Sequence, residues 1–77
     1  MTTLTSIIMA NSSKRAVRIK AGNTEIYIGI NCNGLEEMNP NVLKWFDTHK
    51  ALHVWSGRNE VEVQYKGSAK LERMIFG

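Results

Sequence analysis

AVRIKAGNTEIYIGINC, residues 16–32, decides the fold of this chain. Folded about Gly22-Asn23, it pairs Ala21 with Thr24, Lys20 with Glu25, Ile19 with Ile26, Arg18 with Tyr27 and Val17 with Ile28. Gly-Asn supplies the positive φ values that a two-residue hairpin turn needs. At period two, Val17, Ile19, Ile26, Ile28, Ile30 and Cys32 share one face, while Arg18, Lys20, Glu25, Tyr27 and Asn31 share the other. One face therefore meets a core, and the other meets solvent or a partner.

Upstream, Thr3 to Ala10 is rich in β-formers and runs into the turn-forming Asn11-Ser12-Ser13-Lys14, which predicts a first strand. Downstream, Asn33 to Met38 has no sustained period and reads as a loop. Asn39-Pro40 joins a strong N-cap to the residue favoured at the first helical position, so a helix is predicted from Pro40. Val42, Trp45, Phe46, His49 and Leu52 then recur at spacings of three and four, a single stripe able to cover a sheet. The helix is expected to stop between Lys50 and His53, with Leu52 to Trp55 already extended.

Glu60 to Lys66 alternates strictly, with Val61, Val63 and Tyr65 on one side, and predicts a half-buried strand. Lys70 to Phe76 reads in two ways. As a strand returning across Gly67-Ser68-Ala69, it pairs Tyr65 with Leu71 and Val63 with Arg73, leaving a charge on the inward face. As a short helix, it puts Leu71, Met74 and Ile75 on one face. The expected order is β-β-β-α-β-β: one α+β domain over residues 1–77, an antiparallel sheet of about five strands covered on one face by a single helix. Its expected core is Val17, Ile19, Ile26, Ile28, Ile30, Val42, Phe46, Val61 and Val63.

A chain of 77 residues is near the size at which one core only just offsets chain entropy, so a homodimer or higher oligomer is among the expectations. The net charge of +3 is a local surplus. Residues 1–24 hold Lys14, Arg15, Arg18 and Lys20 with no carboxylate, and the rest of the chain carries six cations against seven anions. Such asymmetry predicts an acidic partner surface. Cys32 is the single cysteine, which excludes an internal disulfide and predicts a buried thiol in a reducing, cytoplasmic compartment. The first ten residues lack the cationic region of a secretory signal, and no run approaches the ~18 apolar residues of a membrane span, so no membrane partner is expected.

Catalysis finds no support: the serines fall in turns, no G-x-S-x-G occurs, and Asp47 and His49, two apart, lie on different sides of a helix. No enzyme is predicted. His49 and His53 have the four-residue spacing of a zinc pair on one helical face, yet Lys50 stands where the metalloprotease pattern places Glu, and no third ligand is specified. A structural pair without metal is the simpler reading. No Gly-rich phosphate loop or cofactor motif is present.

What remains is a binding surface. Lys14, Arg15, Arg18, Lys20 and Tyr27 form a candidate basic face, set against the plainer reading of a solvated face with weak cross-strand pairs. Trp55, beside the turn at Gly57, together with Arg73 and Phe76, is a candidate secondary interface. The expectation is a non-enzymatic accessory or inhibitor-type protein that docks its basic hairpin face on a larger acidic protein. The runner-up is direct binding of nucleic acid or an anionic nucleotide by the same face, and the third reading is a homo-oligomeric sequestering protein.

Overall fold

The computed structural model describes residues 3–30 and 38–76. The hairpin forms in the register that alternation implies: β1 (Ala16–Ala21) pairs antiparallel with β2 (Thr24–Gly29), from Ala16 opposite Gly29 to Ala21 opposite Thr24. Gly22 takes φ 61° in the turn, a conformation that a Cβ would oppose.

On its other side β1 pairs in parallel with β4 (Glu60–Tyr65), with Val17 opposite Val61, Ile19 opposite Val63 and Ala21 opposite Tyr65. The short β3 (His53–Ser56) pairs antiparallel with β4, giving the strand order β2-β1-β4-β3. The expected sheet of about five antiparallel strands is thus corrected to a mixed sheet of four among the described residues. Backbone contact closes the end near the hairpin turn, where a Cβ added to Gly67 would lie 2.7 Å from Gly22 Cα.

The predicted first strand is instead a helix, α1 (Leu4–Ala10). Thr3 and Ser6 form a reciprocal cap, each side-chain oxygen accepting from the other's backbone N–H at 3.0 Å. Leu4, Ile7 and Ile8, spaced three and four apart, are buried, so tertiary packing overrides the β-propensity of this stretch. Thr5 donates its N–H and its hydroxyl to the two carboxylate oxygens of Asp47, at 3.0 and 2.8 Å. Asp47 belongs to α2 (Pro40–Thr48), which starts where Asn39-Pro40 predicts it, with the Asn39 side chain accepting from the Asn41 N–H at 2.8 Å.

α2 ends at Thr48 and His49 caps it with extended backbone, so Leu52 falls outside the apolar stripe and is 70% exposed. The C-terminal segment takes its helical reading as α3 (Ala69–Phe76). Ser68 Oγ accepts from the Leu71 N–H at 3.1 Å, Leu71 is buried, and Met74 and Ile75 pack against the core. Arg73 is exposed on this helix, and the strand pairings of Tyr65 with Leu71 and Val63 with Arg73 do not form.

Among the described residues three helices therefore replace the expected single cover, and all bury their apolar stripes against the same sheet face. Of the expected core, Val17, Ile19, Ile28, Val42, Phe46, Val61 and Val63 are buried, joined by Leu4, Ile7, Ile8, Trp45, Tyr65 and Leu71. Ile26 and Ile30 are only partly buried, because β2 is an edge strand. Cys32 and the loop predicted after it to Glu37 lie outside the described residues. No helix among the described residues is long and apolar enough to cross a membrane.

Phe46 is fully buried between Trp45 and Tyr65, with ring centroids 5.2 and 4.9 Å away. Phe46→Ala should cost about 3–5 kcal/mol in denaturant titrations, and an unchanged midpoint would mean that α2 does not cover this sheet. Tyr65 buries a hydroxyl without a hydrogen-bond partner, and burial, with a smaller contribution from the Asp47 charge, pushes its phenol up to about 12. The folded chain therefore holds this proton more tightly than the unfolded one, and stability falls as pH rises from 10 towards about 12. Tyr65→Phe should lessen that fall, and at pH 8, where no bond is lost, should cost less than about 1 kcal/mol. Denaturant midpoints at pH 8 and pH 11 check both; equal alkaline losses in the two proteins would contradict the assignment.

Candidate functional site

With the helices on one side, strand alternation assigns the opposite side of the sheet to Glu25 and Tyr27 on β2, Arg18 and Lys20 on β1, Glu60, Glu62 and Gln64 on β4, and His53 and Trp55 on β3. The registers align these residues in cross-strand rows. Tyr27, Arg18, Glu62 and Trp55 form one row, and Glu25, Lys20, Gln64 and His53 form the next. At about 4.8 Å between strands, each row is roughly 14 Å long.

Charges on this face interlock diagonally. Arg18 Nε lies 3.5 Å from Glu25 and its Nη2 lies 3.8 Å from Glu60, while Lys20 Nζ lies 3.2 Å from Glu62. Arg18 Nε is buried without a hydrogen bond, so its approach to Glu25 is charge proximity and not a directed bond. The guanidinium carbon sits 5.7 Å from the Tyr27 ring centroid, within cation–π range. Tyr27 Oη donates to Glu60 at 2.8 Å, and this bond holds the phenol proton, raising its pKa above the ordinary value. Two cations thus face three carboxylates, a net charge of −1.

Lys14 and Arg15 stand apart from this surface. Lys14 Nζ donates to the carbonyls of Gly57 and Arg58 at 2.7 and 3.3 Å, tying the segment before β1 to the β3–β4 turn. Arg15, just ahead of β1, donates its backbone N–H to Asn59 O at 2.8 Å. The five residues of the expected basic group are therefore not one patch: Arg18, Lys20 and Tyr27 come together among carboxylates. Glu60 and Glu62 are the members that sequence reading missed. Their outward period matches that of Arg18 and Lys20, a charge complementarity that was the available signal for a β1–β4 neighbour pair.

Trp55 is 54% exposed, and its ring lies over Gly57, where an added Cβ would come within 2.6 Å of it. Arg73 and the 75% exposed Phe76 sit on α3, across the sheet from Trp55, so the proposed secondary interface is not assembled. His49 and His53 do not share a helical face, since His49 caps α2 and His53 lies on β3. No group of three or more His, Cys, Asp or Glu side chains is arranged to hold a metal among the described residues. A depression lies between α1 and β3, with Ile7, Ala10, Ala51 and Val54 in its lining.

No family model, curated protein or solved structure matches this chain. The functional reading rests on the residues themselves.

Reversing both cations with Arg18→Glu and Lys20→Glu makes the face wholly acidic and should lower stability by on the order of 1–2 kcal/mol in low salt. Much of that loss should return at 1 M salt, where the screening length falls to about 3 Å. Melting temperatures in low and high salt check this; a loss independent of salt would mean that the ion pairs do not form in solution.

Proposed function

We propose that this chain is a small non-enzymatic binding protein that docks on a larger protein through its open sheet face. The row Tyr27, Arg18, Glu62, Trp55 carries this reading. Tyr, Arg and Trp are the residue types that dominate binding energy at interfaces, and here they stand in line on a sheet face that no helix among the described residues covers. Tyr27 is 58% exposed yet bonded to Glu60, and Trp55 is 54% exposed yet seated on Gly57. Side chains held before contact lose less freedom on binding.

An acidic partner engages Arg18 and Lys20 by exchanging its own carboxylates for Glu25, Glu60 and Glu62. Those three carboxylates repel an acidic protein and a phosphate backbone alike; a protein partner can answer them with cations placed beside its carboxylates, whereas a phosphate backbone cannot, so direct phosphate-backbone binding by this face has weaker support. Accessory or inhibitory action by occupancy requires no catalytic group. Self-association is favoured by one separate observation: every residue of the edge strand β3 is exposed and none is an acid, Lys or Arg, and Leu52 beside it is 70% exposed.

Affinity capture from the source cell, using the wild type, Tyr27→Ala and Trp55→Ala, tests the reading. One protein should be retained stoichiometrically by the wild type and about tenfold more weakly by either variant, with melting temperatures unchanged. A partner retained equally by all three overturns the sheet-face reading. Light scattering on the same samples, with Val54→Lys added, reads self-association: a dimer that this substitution dissolves assigns the surface to the β3 edge.

A further inference from the structure

The open sheet face is net negative, so the chain's positive surplus lies elsewhere. Part of it converges between two helices. On α2, Asn41, Lys44, Trp45 and Thr48 follow spacings of three and four along one side, and on α3 Lys70 and Met74 are four apart. These residues, with His49 at the end of α2, line a cleft of about 460 Å³. Among the described residues, no carboxylate lines it. Asp47, the acid of α2, is engaged by Thr5, and neither Lys44 nor Lys70 has an ion-pair partner among the described residues.

His49 is fixed in place. Its ring stacks on Trp45 with centroids 3.8 Å apart and planes 15° from parallel, and its Nδ1 lies 2.6 Å from the Trp45 carbonyl oxygen. A carbonyl oxygen only accepts, so Nδ1 carries the proton and Nε2 is the edge left for a ligand. The Thr48 hydroxyl donates to the same carbonyl at 3.0 Å and steadies the arrangement. Nε2 can meet a phosphate as a donor from the imidazolium, or as an acceptor from a phosphate hydroxyl.

We propose that this cleft between α2 and α3 is an anion site that takes a phosphate group, held by Lys44, Lys70 and His49. Two ammonium groups and an imidazole edge, with the Asn41 amide at the rim, suit a tetrahedral dianion with several acceptor oxygens better than a single carboxylate. The apolar surface of Trp45 and Met74 beside them accommodates the organic part of a phosphate ester. Two sources offer this chemistry: a free phosphate ester such as a nucleotide, and the backbone of a nucleic acid.

The test is a heteronuclear NMR titration of the full chain with inorganic phosphate, ionic strength being held constant with chloride. Saturable shifts should appear at Lys44, Thr48, His49 and Lys70. Lys44→Gln with Lys70→Gln should weaken binding about tenfold or more, a difference of about 1.4 kcal/mol or greater, and His49→Gln should weaken it by a smaller factor. All are solvent-exposed positions, and a melting curve for each variant verifies its fold. Shifts that chloride alone reproduces, shifts that do not saturate, or equal affinity in the double variant overturn the proposal. Adenosine monophosphate binding more tightly than phosphate supports the site and assigns it to small esters. A short oligothymidylate binding more tightly than either, with affinity falling steeply with salt, supports it and assigns it to nucleic acid.

Discussion

The parallel pairing of β1 with β4 is the constraint on which the rest of the structure depends. It sets Val17 against Val61, Ile19 against Val63 and Ala21 against Tyr65 at the centre of the sheet, where all six are buried. Parallel neighbours cannot be joined by a tight turn, so the chain between them must leave and return, and α2 is part of that return path. Both ends of the pair are secured. Lys14 and Arg15 bind the carbonyls of Gly57, Arg58 and Asn59 at one end, and Gly22 meets Gly67 backbone to backbone at the other. Larger residues at either glycine would push the two loops apart and strain the register.

The same register that seals the core distributes the charge. Because side chains alternate, setting Val17 and Ile19 inward against β4 also sets Arg18 and Lys20 outward against Glu60 and Glu62. A hairpin that is basic along the chain becomes part of a face with charges of both signs. Long-range steering of charged molecules by a face of mixed sign is correspondingly weak. On the helical side, Lys44 and Lys70 have no ion-pair partner among the described residues.

How much was legible follows from how local each determinant is. The hairpin register is dictated by a two-residue turn and period-two alternation within a dozen residues, and the start of α2 by the adjacent Asn39 and Pro40. Nothing local specifies that residue 17 lies beside residue 61. In α1 the β-branched composition and the helical spacing of Leu4, Ile7 and Ile8 conflict, and the deciding contacts, burial of those three and the Thr5–Asp47 bonds, are made across the fold. The C-terminal segment was ambiguous because Leu71 and Ile75 fit both periods, and the Ser68 cap with Met74 on the core settles it as a helix. Of the site, Arg18, Lys20 and Tyr27 were readable as one face, whereas their carboxylate partners on β4 depended on the non-local pairing.

Core and surface are divided by the plane of the sheet, and that division bears on function. Phe46, Trp45 and Tyr65 form the aromatic centre of the helical side, so their identities are committed to folding. The outward charges contribute little to stability, about 1 kcal/mol or less for an exposed pair, and leave those positions free to serve recognition. Trp55 is the telling case. A chain of 77 residues with a modest core leaves one of its two tryptophans more than half exposed, forgoing burial worth roughly 25 cal/mol for each Å² of apolar surface. Within the fold that energy goes unused, and a partner that covers Trp55 gains it without disturbing a single core contact.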